Sequence, residues 1–382
     1  MKIGLVCPYS IAKGGGVKEI VFAMQTELEK RGHDVTIITP QPRDWDASEL
    51  GGRKVIFIGT ATDFNWPLQH TTVQVSAGLN EEIDQVLEEE KFDVLHFHEP
   101  WVPVLSRQIL SRSNTVNVAT FHASVPPTAM NRTFIRVVVP YTKSVLKYID
   151  AFTAVSEPAA EYICSLTDEP VALIPCGIDV EQFTPPKVHR DGRKHKTIFY
   201  VGRLEGRKGV KHLIQAFAQL VKERPETTLI IAGNGPDREK LEMLVSDLEV
   251  PNVKFLGFIT EKEKQQYLRN SDLFCAPALY GESFGIVLLE AMACGLVTVA
   301  GDNPGYASVM QGLGAISLVN PQHHAEFARR LNLLLHEKDL RKLWRTWAND
   351  QMPQYEYPTV VSQYEEIYKK AIKEHGNRQR EA

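Results

Sequence analysis

Thr197-Ile198-Phe199-Tyr200-Val201-Gly202-Arg203-Leu204-Glu205-Gly206-Arg207-Lys208-Gly209 lies midway along the chain; it begins as a β-strand and ends at the threshold of a helix. Five β-forming residues run into a glycine-rich, cationic loop, and residues 209–223 then read as a helix. The same order opens the chain. The strand Lys2–Cys7 leads to Gly14-Gly15-Gly16-Val17, after which Val21 and Leu28 recur at helical spacing until Gly32 closes the helix. Working outward from these two loops, short Val- and Ile-rich runs alternate with longer helical patterns. In the first half the strands are Val35–Thr39, Val55–Ile58, Val94–Phe97, Val116–Phe121, Phe152–Val155 and Ala172–Ile174. In the second they are Thr228–Ala232, Val253–Gly257, Leu273–Ala276, Val297–Ala300 and Ile316–Val319, with helices at 237–248, 261–270 and 284–294. Such alternation predicts parallel sheets with helical crossovers. The chain is therefore read as two tandem, Rossmann-like, doubly wound α/β domains facing across a cleft, residues 1–185 and 186–357. Thr184-Pro185-Pro186 and the polar run after it serve as linker, and a last helix near 358–375 packs back on the first domain. A ligand is expected where loops at the C-terminal ends of both sheets converge.

Composition excludes several classes. The 382 residues carry a net charge of −4, so no basic field points to nucleic acid. With 43% hydrophobic and 24% charged residues the chain has ample core for a globular protein. Its five cysteines are odd in number and never form C-x-x-C, which fits buried thiols in a reducing compartment. No signal peptide is read at Met1-Lys2, and the apolar stretch Gly285–Gly301 is short for a bilayer span and carries Glu290. A cytoplasmic location is expected.

Three loops carry chemistry. At Gly14-Gly15-Gly16, successive glycines let backbone amides approach an anion at a helix N-terminus, although neither G-x-G-x-x-G nor an acidic second-strand end supports a nicotinamide dinucleotide. Arg203, Arg207 and Lys208 cluster before a helix whose N-terminus is already positive, a conflict that a diphosphate resolves. In Gly281-Glu282-Ser283-Phe284-Gly285-Ile286-Val287-Leu288-Leu289-Glu290-Ala291-Met292-Ala293-Cys294-Gly295, Glu282 precedes a helix start with bare donors. Glu290 sits inside an apolar helix, where a carboxylate needs a partner: ribose hydroxyls, backbone donors or a neighbouring cation.

The pair Glu282-Ser283-Phe284-Gly285 … Leu289-Glu290-Ala291, with Gly202-Arg203 … Arg207-Lys208-Gly209 and the glycine loop, resembles the retaining glycosyltransferases of the GT-B fold, family 4. Cys7-Pro8-Tyr9-Ser10, Phe92–Pro100, Thr120-Phe121-His122 and Cys275-Ala276-Pro277 narrow the resemblance to the bacterial phosphatidylinositol mannosyltransferases, which use GDP-mannose. The resemblance implies that Arg203 and Lys208 hold the donor diphosphate, with Gly15 and Gly16 facing its distal phosphate. It gives Glu290 the ribose and Glu282 the transferred sugar. The Phe284–Ile286 amides, with Ser283 and Gly285, would meet sugar and phosphate, and His122 would lie near the anomeric carbon. Tyr9 and Lys18 fall on the acceptor side. His122, Glu282, Arg203 and Lys208 thus form the implied catalytic set, with cations on the leaving phosphate and oxygens around an oxocarbenium-like carbon.

The partners expected are a nucleotide-diphosphate sugar and a hydroxyl acceptor of lipid or glycolipid type, with at most weak peripheral membrane contact. No cofactor and no metal are expected. Asp44-Trp45-Asp46 is a formal D-x-D but falls in a polar loop, and His323-His324 has no evident third ligand. Two departures from the family pattern stand out. The cationic loop reads Arg207-Lys208-Gly209 where the family often has Glu-Lys-Gly. The helix Asn80–Lys91 holds six acidic residues and one lysine, a charge that anionic lipid repels, where lipid-using relatives have a basic helix. The basic segment Arg132–Lys147 reads as a core helix with solvated lysines. Alternatives are a UDP-sugar enzyme with a soluble acceptor, a GT-B-fold sugar-nucleotide epimerase, and a non-catalytic sugar-nucleotide-binding subunit.

Overall fold

The computed structural model describes residues 1–11, 15–42, 50–66, 71–125, 134–186 and 192–381, with backbone alone for 63–66, 71–75, 134–135 and 378–381. Contacts divide the chain into two compact units, Met1–Gly177 with Tyr357–Ala382, and Ile178–Glu356. The division falls ahead of the expected Pro185-Pro186 linker. Ile178 already donates to the Tyr355 carbonyl at 2.8 Å, and Arg269 grips the carbonyls of Gln182 (2.7 Å) and Thr184 (3.1 Å), so this stretch belongs to the second unit.

The first unit contains β1 (Lys2–Val6), α1 (Gly16–Lys30), β2 (Asp34–Gln41), β3 (Val55–Thr60), β4 (Thr62–Trp66), β5 (Thr71–Val75), α2 (Asn80–Glu90), β6 (Val94–His98), α3 (Leu105–Leu110), β7 (Val116–Phe121), α4 (Val139–Leu146), β8 (Ala151–Ala154), α5 (Glu157–Cys164) and β9 (Val171–Leu173). Seven strands pair in the order β3-β2-β1-β6-β7-β8-β9, every pairing parallel. β6 and β7 are buried along their whole length, as continuous apolar runs covered on both faces must be. The antiparallel β4–β5 hairpin stands apart from this sheet and was not foreseen.

The second unit contains β10 (Thr197–Val201), α6 (Val210–Glu223), β11 (Thr228–Ala232), α7 (Arg238–Asp247), β12 (Val253–Gly257), α8 (Glu261–Asn270), β13 (Leu273–Ala276), α9 (Ile286–Ala293), β14 (Thr298–Gly301), α10 (Pro304–Val309), β15 (Leu318–Val319), α11 (His324–His336) and α12 (Lys338–Gln351). Its six parallel strands run β12-β11-β10-β13-β14-β15. The strand expected at Ile316–Val319 is only the two residues of β15, because Gly312–Ser317 winds into a 3₁₀-helix. Gly314 lies so close to the Trp347 ring that a Cβ would meet it at 2.2 Å, which ties that turn down.

The last helix, α13 (Tyr357–Glu381), belongs to the first unit and packs on α1 and β7. Val361, Tyr364 and Tyr368 are fully buried, each contributing about 1.5–3 kcal/mol by the area they remove from water. Arg31 fixes its first turns by donating to Ser362 Oγ (2.9 Å) and Glu365 Oε2 (2.5 Å).

In both sheets strand order reverses beside the first strand of the unit, between β1 and β6 and between β10 and β13. In open parallel sheets the loops leaving such carboxyl ends splay apart and are the usual place for a ligand. Gly15–Gly16, Gly202–Gly209 and the residues before α9 are the loops so placed.

Candidate functional site

In the second unit the loops after β10 and β13 are locked to each other. Gly209 adopts φ +70°, and a Cβ there would meet the Pro277 carbonyl oxygen at 1.9 Å, so only glycine fits. The Leu279 amide donates to the Arg207 carbonyl at 2.8 Å. This contact delivers Arg207 and Lys208 to Glu282: Arg207 Nη1 lies 2.9 Å and Lys208 Nζ 2.7 Å from the same oxygen, Oε1. Arg207 Nε reaches Glu205 at 2.7 Å, and Arg203, 60% exposed, stands 3.7 Å from the same residue. Three cations thus face two carboxylates, leaving one formal positive charge for an incoming anion. Sequence reasoning counted Arg207 as extra basicity. The structure makes it a direct partner of Glu282.

Glu282 and Ser283 lead into Phe284, whose buried ring meets Tyr355 edge-on at 6.0 Å, so its side chain serves packing while its amide lies beside the start of α9. Gly285 caps that helix with φ +109° and no side-chain hydrogen bond; a Cβ would strike the Tyr306 ring at 2.7 Å. Ile286 is the first residue of α9; no side chain caps this helix start, and while the Leu288 amide is taken by the Gly285 carbonyl at 2.9 Å, the amides ahead of it are placed for an anion or hydroxyl. On the next turns Glu290 is 9% exposed, and its partner is a cation that the sequence did not single out: Lys264 of α8, with Nζ 2.7 Å from Oε1. Burial pulls the Lys264 ammonium down, and the Glu290 and Glu261 carboxylates outweigh it, holding the pKa above the usual 10.5.

In the first unit Gly15 is extended and a Cβ there would meet nothing within 4 Å, so packing does not require a glycine. Gly16 begins α1 and Lys18 sits in its first turn, its ammonium 5.5 Å from the Phe22 ring. Gly14 and the Asp44-Trp45-Asp46 triplet lie outside the described residues, as do the first two of Arg132–Lys147. The rest of that basic segment buries Thr142, Val145 and Leu146 and exposes Lys143 and Lys147. Tyr9 follows β1, and burial together with the Glu99 charge raises its phenol well above 10.

His122 follows β7 and is 8% exposed. Around it lies a polar cluster that the motifs Phe92–Pro100 and Thr120-Phe121-His122 do not by themselves reveal. The rings of His96, His98 and His122 stack with centroids 4.4 and 5.1 Å apart. His96 bonds Tyr368 (2.7 Å) and Thr120 (2.6 Å), and His98 Nδ1 lies 2.9 Å from His122 Nε2. Burial alone holds His122 down to about 3, and burial with a neighbouring ring keeps His96 at about 3 and His98 well below its usual 6.5, so all three rings are neutral at pH 7. Glu99, with φ +52°, accepts the backbone N–H of His122 and Ala123 and the indole N–H of Trp101. Burial drives its carboxyl up to about 7 against the lowering pull of those bonds. The signal was present: His96 and His98 are two residues apart on a fully buried strand, hence on one face.

Among the described residues no group of three or more His, Cys, Asp or Glu could hold a metal ion, and no helix is long and apolar enough to cross a membrane. The five cysteines are free, all but Cys164 buried.

The second unit sets a cationic loop against an acidic one at its switch point, an arrangement suited to an anionic ligand, and the chain belongs to the glycosyltransferases of family 4. Residues 14–182 match the model of Glycosyltransferase Family 4, and residues 182–351 that of Glycosyl transferases group 1. Within it, the chain is 31% identical over 370 residues to the phosphatidyl-myo-inositol mannosyltransferase of Mycolicibacterium smegmatis, covering 96% of this chain and 93% of that one. It is 25% identical over 344 residues to the alpha-monoglucosyldiacylglycerol synthase of Streptococcus pneumoniae, covering 80% and 72%. Among solved structures, Anabaena HepE in complex with UDP and glucose superposes with a TM-score of 0.76 at 19% identity over 97% of this chain and 100% of that one, which shows the GT-B fold. The chain is a glycosyltransferase.

Proposed function

We propose that this glycosyltransferase moves mannose from GDP-mannose to a hydroxyl of an inositol lipid, with retention at the anomeric carbon and without a metal. The observation that carries the reading is the 31% identity, over 96% of the chain, to an enzyme named for mannosyl transfer to phosphatidyl-myo-inositol. In this reading Arg203 and Lys208 take the diphosphate, supplying the charge that a metal ion supplies at other leaving groups. The open space at Gly15 and the amides at Gly16 suit the distal phosphate, and Glu290 turns toward the ribose. Glu282, with the Ser283–Ile286 turn, takes the sugar. His122 serves the reacting carbon, and Tyr9 and Lys18 the acceptor. The enzyme then works in the cytoplasm at the inner membrane face, as a peripheral protein.

The acidic surface of α2, where Glu81, Asp84, Glu88 and Glu89 are exposed, favours a second reading in which the acceptor is soluble. An acceptor panel separates the two. Radiolabelled GDP-mannose is offered with phosphatidylinositol vesicles, diacylglycerol vesicles or free inositol phosphate. Label entering the phosphatidylinositol fraction supports the first reading, and label entering only inositol phosphate supports the second.

A further inference from the structure

The histidine stack contains a proton whose place can be worked out. His98 Nδ1 and His122 Nε2 lie 2.9 Å apart, and neutral rings share one proton between them. His98 is fully buried, and its other nitrogen, Nε2, has no hydrogen-bond partner among the described residues. If His122 donated, His98 would have to carry its proton on Nε2, leaving a buried N–H without an acceptor, the costlier of the two orphans. If His98 donates from Nδ1, its orphan is only a lone pair, and His122 is forced to carry its own proton on Nδ1.

We propose that His98 is a positioning residue that fixes His122 in the Nδ1–H tautomer, so that His122 presents a donor, and not a lone pair, to the reacting sugar. The surroundings hold that arrangement. His96 stacks on His98 with an interplanar angle of 30°, and is itself held by Tyr368 of α13 and by Thr120, which bonds Thr153 at 2.6 Å. Glu99 grips the main chain at His122 and Ala123, so backbone and ring are pinned from different sides. A fixed donor can bond a sugar hydroxyl or ring-side oxygen, and it cannot remove the proton of an acceptor alcohol. Deprotonation of the acceptor therefore falls to another group, as a retaining transfer in which the leaving phosphate takes the proton would have it. This inference rests on the role given to His122 above, and its test reads the tautomer apart from that role.

The test is nitrogen-detected histidine NMR on the full chain with ¹⁵N-labelled histidine, His122 being assigned by its loss in His122→Asn. The wild type should show protonated Nδ1 and bare Nε2 at His122 with no sugar nucleotide present. His98→Asn places an N–H near the original Nδ1 and should keep that tautomer and most of the turnover. His98→Leu removes the donor and should shift His122 toward Nε2–H while lowering kcat roughly tenfold at unchanged donor KM. His98→Gln carries its amide one carbon further out and should behave like His98→Leu, which separates hydrogen bonding from polarity. A melting curve confirms that each variant is folded. Nε2–H at His122 in the wild type, or an unchanged tautomer in His98→Leu, overturns the proposal. A correct tautomer pattern with full transfer by His122→Asn keeps the hydrogen-bond assignment but overturns the donor role toward the sugar, and with it the place given to His122 in the reaction.

Discussion

Replacing Glu282 by Gln should move ligand binding and turnover in opposite directions. One oxygen of Glu282 holds both Lys208, at 2.7 Å, and Arg207, at 2.9 Å. A diphosphate arriving at Lys208 must compete with that carboxylate. The three side chains are 13%, 20% and 32% exposed, so each pair is worth no more than a partly screened ion pair, about 0.5–1 kcal/mol. Glu282→Gln removes both competitors, a change of about 1–2 kcal/mol, and GDP should bind about five- to thirtyfold more tightly. The gain should shrink at high salt, where such pairs are screened. Transfer should fall about 100-fold in kcat, because the amide no longer offers negative charge to a sugar gaining positive charge. Isothermal titration of GDP at two salt concentrations, with initial rates of mannosyl transfer, measures both effects. Unchanged or weaker GDP binding by Glu282→Gln would refute the competition, and unchanged kcat would remove Glu282 from the chemistry.

Further outcomes follow from the same contacts. Glu290→Gln should raise the donor KM about tenfold with kcat near wild type, since a ribose contact is uniform binding. It should also lower the melting temperature by leaving the 16%-exposed Lys264 short of a partner, and kinetics unlike these, with only the melting change, would make Glu290 purely structural. Transfer should survive EDTA; turnover lost on chelation and restored by Mg²⁺ or Mn²⁺ would overturn the assignment of the diphosphate to protein cations. Acid should destabilise the fold. Below about pH 6.5 the unfolded chain binds protons on His96, His98 and His122 that the folded chain refuses, so stability falls with pH. Glu99 opposes this between 4.5 and about 7, where the folded chain keeps a proton that the unfolded chain releases. In this cluster three against one leaves about two protons taken up on unfolding, about 2.7 kcal/mol per pH unit at the steepest, and His212, His324 and His336, also held down by burial, add to the same slope. Urea midpoints that agree at pH 5.5 and 7.5 would contradict it.

Much of the fold was legible because parallel strands buried on both faces read as plain apolar runs: β10, β11, β12 and β13 begin and end where Thr197–Val201, Thr228–Ala232, Val253–Gly257 and Leu273–Ala276 were expected. Long-range packing hid the rest. The short helix α10 starts at Pro304 with an Asn303 cap and has too few residues for a period to show. The unit boundary could not be read from Pro185-Pro186, since Arg269, far along the chain, pins that segment down. At the site, the residue types of the two loops pointed to an anion, but pairing did not follow from spacing. Lys264 reaches Glu290 from a different helix, and Arg207 reaches Glu282 only because Gly209 lets the two loops touch. The histidine stack depends on the register of β6 against β7, which pairs His98 with Thr120 and carries His122 to the ring beside it.

The most direct test is the stereochemistry of the product. Purified enzyme, GDP-α-mannose and phosphatidylinositol vesicles are incubated in EDTA, the product lipid is extracted, and the anomeric coupling is read by NMR. An α-linked mannosyl inositol lipid is the predicted result. A β-linked product, or transfer to no inositol lipid by protein that binds GDP, would contradict it.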